Sequence, residues 1–347
     1  MSATAAATVR CLEVEPGRAR LREAAPAALP AGWGRVRVSA CGVCGTDLHL
    51  LHGMPLPRAA TYPVRPGHEV AGTLVEGAGA QLAPGDPVVL HPLIPCGVCV
   101  SCRRGRENRC RKATVLGLDH DGGLADEVVW PLHRMVPARG IPSDQAAVLP
   151  DAVASAYHAL MLAELPPGGA LCVLGAGGVG AHVLAIARVL DPDARLTAVV
   201  RSAGTAERLE RLGLDVTLVR TLEGCARRVI DGSGPQDAVV EFGAGSAAAR
   251  EALPMLVRGG RFVVGSISED PFEPATTLTA LVTRELLVVG SYASSLSDLA
   301  AVTGLTASGR LDLSASVSHW VALERAQDAL TLLAERPPGL ARVVVVP

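Results

Sequence analysis

The sequence predicts an α/β chain of two domains: a doubly wound parallel sheet in its second half, and a mostly β domain formed by the first half and completed by the C-terminus. Three observations carry that expectation. The chain has 347 residues, which at about 150 per domain makes two, and 49% of them are apolar, enough to fill two cores. From about 153 to 291 apolar runs alternate with helical stretches, whereas residues 8 to about 150 hold short strand-like segments broken by Gly and Pro. A glycine-rich turn closes the first apolar run of the alternating half.

Composition excludes several classes. The 32 Lys+Arg nearly cancel the 34 Asp+Glu, the formal net charge is -2, and no run of like charges forms a tail, so neither a nucleic acid nor an anionic membrane is expected as partner. The opening MSATAAATVR lacks the basic flank and apolar stretch of a secretory signal, and Gly, Pro or a charge interrupts every apolar run before it reaches spanning length. A soluble, cytoplasmic protein is expected. The 37 Gly and 25 Pro are spread among regular apolar segments, as in a strand- and turn-rich globular protein.

In the first half the segments GRVRVSA, HEVAGTLVE, DPVVLHP and LADEVVW suggest an antiparallel, barrel-like arrangement. The chain has nine cysteines, and four of them, Cys96, Cys99, Cys102 and Cys110, read CxxCxxCx7C. A cytoplasmic chain does not keep such a cluster as disulfides. Two-residue gaps let the backbone wrap one ion so that successive thiolates reach neighbouring corners of a tetrahedron, which makes a closed structural zinc site. Arg103, Arg104, Arg106 and Arg109 would offset the charge of the tetrathiolate. An iron–sulfur cluster and unligated thiols are the competing readings.

In the second half LCVLG, LTAVV, DVTLV, DAVVEF, RFVVGS and LLVVGS are six strands, separated by helical stretches such as HVLAIARVL, TAERLERLG and SAAAREALPML. The turn after the first is GxGGxG, with Gly175, Gly177, Gly178, Val179 and Gly180. Glycines there make the tight turn, let backbone approach a pyrophosphate and let the next helix pack on the strand with its N-terminus facing the anion. With a strand before and a helix and second strand after, the turn reads as a Rossmann dinucleotide site, against a plain glycine-rich turn. An NAD site places an acid about 20 residues beyond the last glycine, on the ribose 2′-hydroxyl. Here that place holds Val200, Arg201 and Ser202. An arginine and a hydroxyl suit a 2′-phosphate, so NADP(H) is favoured over NAD(H); the competing reading is a solvated arginine in an NAD enzyme. Beyond the sheet, SDLAAVTGLTASG and ERAQDALTLLAE read as helices and ARVVVVP as a closing strand, too few elements for a third core. The expected domains are therefore 1–152 with 292–347, and 153–291.

Two segments remain. CGVCGTDLH offers Cys44, Thr46, Asp47 and His49, and PGHEVAG offers His68 and Glu69. Taken with the four-cysteine lobe and the Rossmann turn, in this order, they make the whole chain resemble the zinc-dependent medium-chain alcohol dehydrogenases. The resemblance implies a GroES-like catalytic domain and two zinc ions per chain. Cys44 and His68 match ligands of a catalytic zinc, Cys41 a non-ligand, Thr46 the hydroxyl that meets the substrate alcohol, His49 the end of a proton relay, and Asp47 the carboxylate that orients the ligand histidine. The third ligand of many relatives is a cysteine six residues before a tyrosine; here AAVLPDAVASAYHAL places Asp151 there, before Tyr157. Asp151 is read as that ligand, or else as a helix N-cap, with Glu69 then replacing it at the metal. Arg342 in GLARVVVVP matches an arginine that contacts the cofactor pyrophosphate, against an ordinary strand-edge arginine. Leu93 and Ile94 match an apolar wall of the substrate pocket, while His91, His120 and His158 are read as packed or solvated. The implied partner is a small-molecule alcohol or carbonyl, and the implied assembly a homo-oligomer, dimer or tetramer. Two other classes compete: a reductase of activated double bonds with non-catalytic zinc, which would lack Thr46 and His49, and a non-enzymatic zinc-thiolate redox sensor.

Overall fold

A computed structural model describes residues 8–57, 60–212, 214–221 and 223–347. The chain divides into two compact units, Met1–Asp151 with Ser295–Pro347, and Ala152–Ser294.

The first unit is built on the strand Trp33–Val43, which pairs antiparallel with Glu69–Glu76, Glu127–Pro131 and Val343–Val346. Burial along it alternates from Gly34 to Ala40, as a strand with one face on a core requires, and is then continuous to Val43, where the strand runs into the helix Gly45–Leu51. Pro87–Leu90 and Met135–Pro137 extend the sheet on one side, and His319–Ala322, parallel to the last strand, ends it on the other. The C-terminal segment thus supplies two strands and the helices Leu296–Ala307 and Ala326–Glu335 to this unit. Valines and leucines of the sheet form its core with Leu323, Ala329 and Leu330 from the C-terminal segment. Trp130 is the largest fully buried side chain among the described residues; its indole N–H donates to His91 O at 2.9 Å and its ring meets both Trp33 and His120 edge-on.

The second unit is a six-stranded, wholly parallel sheet. In chain order its strands are Ala170–Leu174, Arg195–Val199, Val216–Val219, Gln236–Glu241, Leu256–Val264 and Leu287–Gly290; in space they run 3-2-1-4-5-6. This is the order of the doubly wound dinucleotide fold, with its reversal beside the first strand. That strand is buried throughout, as a central parallel strand covered on both faces must be. The helical run SAAAREALPML is broken into Ser246–Arg250 and Ala252–Met255 around Glu251, and the break is used: Glu251 accepts from Gly224 and Ala226 N–H at 2.7 and 2.8 Å, capping the start of the helix Cys225–Ser233. Among the described residues no helix is long and apolar enough to cross a membrane.

Replacing Trp130 with Ala should destabilise the first unit by about 3–5 kcal/mol, since it opens a large cavity and strands the His91 carbonyl. Denaturant titration followed by circular dichroism should show the midpoint of that unit falling; an unchanged midpoint would mean that the aromatic cluster is peripheral.

Candidate active site

Four segments far apart in the sequence deliver the polar cluster of the first unit. Cys44 is the N-cap of the helix Gly45–Leu51, and its N–H donates to the Asp47 carboxylate at 2.9 Å, so the residue two before Thr46 and the acid at N3 are tied together. Glu69 begins the strand Glu69–Glu76 and His68 directly precedes it, and Asp151 lies in a π-helical turn, Leu149–Val153. Arg342 directly precedes the last strand.

Cys44, His68, Glu69 and Asp151 each offer a ligand atom, and these atoms lie within 4.8 Å of one another. Asp151 Oδ2 is 3.5 Å from Cys44 Sγ and 3.7 Å from His68 Nε2. Donors about 2.0–2.3 Å from a tetrahedral ion stand roughly 3.3–3.8 Å apart, so Asp151 Oδ2 lies at the spacing of a zinc ligand from both the sulfur and the nitrogen. The Glu69 carboxylate is fully buried, with Oε1 accepting from the Arg342 guanidinium and Oε2 without a hydrogen-bond partner. Asp47 is equally buried; its Oδ1 faces His68 Nδ1 at 4.0 Å, beyond hydrogen-bond distance.

The electrostatics describe a surplus of negative charge. Burial pushes the Glu69 carboxyl up to about 7, against the pull of Arg342 and with the help of Asp151. Burial also raises Asp47, which His68 and the N–H groups of Cys44 and Gly67 offset only in part, and raises the Cys44 thiol, with Asp151 adding to it. His68 is held well above its ordinary value: burial acts to lower it, but the Cys44 sulfur and the Asp151 and Asp47 carboxylates outweigh that. Asp151 is correspondingly lowered, its own burial being outweighed by His68. One thiol and three carboxylates thus share one imidazole and one guanidinium. An orphaned carboxylate oxygen, a negative surplus and a sulfur–nitrogen–oxygen donor set all fit a divalent, borderline-soft cation such as zinc.

Thr46 and His49 sit on the same short helix. The Thr46 hydroxyl oxygen lies 3.8 Å from Cys44 Sγ, and His49 is exposed. Cys41 is fully buried and outside the donor group. Leu93 and Ile94 form a two-residue strand paired with Thr114–Val115.

The second donor group is the thiol cluster. Cys96, Cys99, Cys102 and Cys110 also place their sulfurs within 4.8 Å of one another, Cys99 and Cys102 at 3.4 Å and Cys96 and Cys102 at 3.9 Å. Backbone N–H groups of Val98 and Cys99 pull the Cys96 thiol down to about 6. Arg103, Arg104, Arg106 and Arg109 are all exposed on this lobe. A cation that local pattern reading did not find is buried instead: Arg134 donates to His91 Nδ1 at 2.6 Å and lies 3.6 Å from Glu107, whose carboxylate accepts from Leu296 N–H at 2.8 Å. His91 is a packed histidine in that network.

In the second unit Gly175 has φ +83, and a Cβ there would meet Phe242 O at 2.2 Å. At Gly180 a Cβ would meet Gly175 O at 2.2 Å, so the helix Gly180–Leu190 could not close on the strand. At Gly177 it would meet nothing within 4 Å. Turn, helix packing and open space beside the backbone are what a bound pyrophosphate needs of those three glycines. Gly178 and Val179 complete the turn, Val179 as the residue before the helix. Arg201 and Ser202 are exposed, and Ser202 has a structural task besides: it caps the helix Ala203–Arg211, accepting from Thr205 N–H at 3.1 Å.

A parallel dinucleotide-type sheet, in one chain with a β unit that gathers thiol, imidazole and carboxylate, defines a dehydrogenase of the two-unit class. Residues 30–142 match the model of the alcohol dehydrogenase GroES-like domain. The L-galactonate-5-dehydrogenase of Escherichia coli (strain K12) is 30% identical over 298 residues, 82% of this chain and 83% of its own. Among solved structures, a thermostable alcohol dehydrogenase from Pyrobaculum aerophilum with cobalt and zinc bound superposes with a TM-score of 0.85 at 27% identity, covering 98% of this chain and 100% of its own. A protein from Sinorhizobium meliloti 1021, provisionally described as a zinc-binding dehydrogenase and solved with NADP, gives 0.88 at 27% identity with the same coverage. The chain belongs to the medium-chain dehydrogenase/reductase family, among its alcohol and polyol dehydrogenases.

The residue before His68 tests the geometry. Gly67 has φ +102, and a Cβ there would meet Leu124 N at 2.6 Å and Cys41 Sγ at 2.8 Å; Gly85 has nearly the same φ, +99, with nothing within 4 Å. Gly67→Ala should therefore lower the melting temperature by more than Gly85→Ala does, by about 1–3 kcal/mol of added steric strain, and should lower the zinc retained after gel filtration. Equal melting shifts in the two variants would show that the His68 turn has room to adapt.

Proposed function

We propose that this protein interconverts an alcohol and its aldehyde or ketone with a nicotinamide dinucleotide, using a zinc ion held by Cys44, His68 and Asp151 and a structural zinc held by Cys96, Cys99, Cys102 and Cys110. The observation that carries the reading is the placement of Asp151 Oδ2 at 3.5 and 3.7 Å from the sulfur and nitrogen donors. It favours Asp151 over Glu69 as third ligand, because the Glu69 carboxylate is tied through Oε1 to the Arg342 guanidinium; its unpartnered Oε2 makes Glu69 the alternative ligand. It also disfavours the cap reading, since Asp151 sits inside a helical turn and the helix Ala154–Ala163 has no side-chain cap.

When bound, zinc would act as a Lewis acid toward the substrate oxygen, and the dinucleotide would accept or return the hydride. Orientation and proton movement belong to the chain. Thr46, beside Cys44, accepts the proton of the substrate hydroxyl as it gives up its own, and His49, three residues on and so on the same helix face, is the end of the relay that releases a proton to solvent. Asp47, pinned by the Cys44 N–H, presents its charge to the Nδ1 edge of His68 at 4.0 Å, which favours the ring orientation with Nε2 toward the other donors. The presence of both Thr46 and His49 supports alcohol chemistry over double-bond reduction.

NADP(H) is preferred over NAD(H), because the strand end after Val199 carries Arg201 and Ser202 and no carboxylate. Its thiols, all free among the described residues, suit a cytoplasmic setting. A homo-oligomer, dimer or tetramer, is supported by exposed Leu278, Val282, Leu287, Val288 and Tyr292 on and near the edge strand Leu287–Gly290.

Elemental analysis of the purified protein should give two zinc ions per chain. Asp151→Ala should retain about one and lose at least about a hundredfold in kcat/KM on a panel of primary, secondary and polyol alcohols, in line with removal of an essential ligand. If Glu69→Ala gives that pattern and Asp151→Ala does not, Glu69 is the ligand. For the cofactor, the ratio of kcat/KM with NADP(H) to that with NAD(H) should exceed one and fall about tenfold to a hundredfold in Arg201→Ala, the worth of one charged hydrogen bond. A ratio indifferent to that change would assign Arg201 to solvent.

A further inference from the structure

The glycine turn of the second unit is held from behind by a side chain that no motif announces. Arg208, on the helix Ala203–Arg211, is only 7% exposed, and its Nη2 donates to Ala176 O at 2.9 Å and to Gly177 O at 2.7 Å. These are successive carbonyls of the turn. A trans peptide is planar with its N–H opposite its C=O, so the Ala176 carbonyl shares a plane with the Gly177 N–H, and the Gly177 carbonyl with the Gly178 N–H. Drawing both oxygens onto one guanidinium turns both N–H groups away from it. Two successive N–H groups presented together make an anion-binding concavity, and at Gly177 an added Cβ would find only open space.

Packing alone does not call for an arginine here. Its helix neighbours Ala206 and Leu209 are fully buried apolar residues, and an apolar side chain at 208 would cover the turn without desolvating a permanent charge. The guanidinium fits a different need: a fixed positive charge under a turn that receives a dianionic group.

We propose that Arg208 is a positioning residue for the dinucleotide, aligning the peptides of the turn toward the pyrophosphate and stabilising its charge from the far side of the backbone. This rests on the reading of the turn as a dinucleotide site. It gives the two arginines separate tasks, Arg201 with the 2′-phosphate and Arg208 with the pyrophosphate.

The test is the affinity of the full-length protein for NADP+, for ADP-ribose, which keeps the pyrophosphate, and for adenosine 2′-monophosphate, which lacks it. In Arg208→Met, NADP+ and ADP-ribose should bind about tenfold to a hundredfold more weakly, as loss of a charge-assisted contact predicts, whereas adenosine 2′-monophosphate should change less than about threefold. At saturating cofactor kcat should stay near the wild-type value, and Arg208→Lys, which keeps the charge but not the fork, should recover part of the loss. A purely structural role would weaken all three ligands together, and this result would overturn the inference, as would unchanged binding of all three. Should Arg208→Met not fold, Arg208→Lys carries the same comparison, with a smaller loss confined to the two pyrophosphate ligands. If the wild type binds neither NADP+ nor NAD+, the dinucleotide reading itself fails, an outcome distinct from selective indifference in the variants.

Discussion

The pairing of Glu69 with Arg342 is the constraint around which the β unit is arranged. Both residues lie at the ends of strands that flank Trp33–Val43: Glu69 stands opposite Gly42 in one ladder, and Val343, next to Arg342, stands opposite Val43 in the other. The ion pair therefore passes over the central strand at Gly42, where a Cβ would meet Glu69 Oε2 at 2.1 Å. A glycine is required there for a reason of space, since its φ is ordinary. The final strand is thereby bound to the first sheet by charge as well as by its ladder, across 273 positions of sequence. Breaking a buried pair of this kind leaves a stranded charge, a penalty of about 3–5 kcal/mol, so the C-terminal segment belongs to the fold of the N-terminal half.

That pair also decides what the remaining polar residues can do. With the guanidinium paired to Glu69, the His68 imidazole is the positive group that Cys44 and Asp151 meet directly, and Arg342 acts on them from behind Glu69. A dication over the Cys44 thiolate, His68 and the Asp151 carboxylate would bring that trio to neutrality, whereas the same ion in a four-thiolate cage would leave a charge of −2. The two donor groups are placed accordingly. The first is closed in among buried Asp47, His68 and Glu69; the second is carried on a lobe whose arginines face solvent, with Arg134 behind it joining Glu107 to His91. Carboxylate in place of thiolate also makes the first site harder, a donor set better suited to polarising oxygen than to storing electrons.

What could be read from residues alone follows the range of the interactions involved. The six parallel strands, the glycine turn and the four-cysteine lobe are local patterns, and periodicity or spacing displays them. Cys44, Asp47, His68 and Asp151 became legible as a group only through resemblance, because no spacing connects position 44 to 151. The cap role of Ser202 follows from a local rule, and its hydroxyl also meets the Thr205 hydroxyl at 2.8 Å. Arg134, Arg208 and the pairing of Glu69 with Arg342 were not legible: Glu69 and Arg342 stand out singly through the resemblance, but nothing local joins them. Arg134 and Arg208 are single charged residues in an unremarkable local context, and all three arginines are buried where composition would place them on the surface.

The two units build their sites by opposite means. In the dinucleotide sheet the turn works through what glycines omit: room for Phe242 O at Gly175, room for helix closure at Gly180, and open space at Gly177. These are three separate steric permissions. In the β unit every polar group is held by the charge of another, with Asp47 on the Cys44 N–H, His68 between Asp47 and Asp151, and Arg342 on Glu69. Groups coupled in a low-dielectric network respond together, so removing one changes the ionisation and position of the rest. Mutational effects within the polar cluster should accordingly be far from additive, while the glycine positions act more nearly as independent conditions. The polar cluster is for that reason the harder of the two sites to alter one residue at a time.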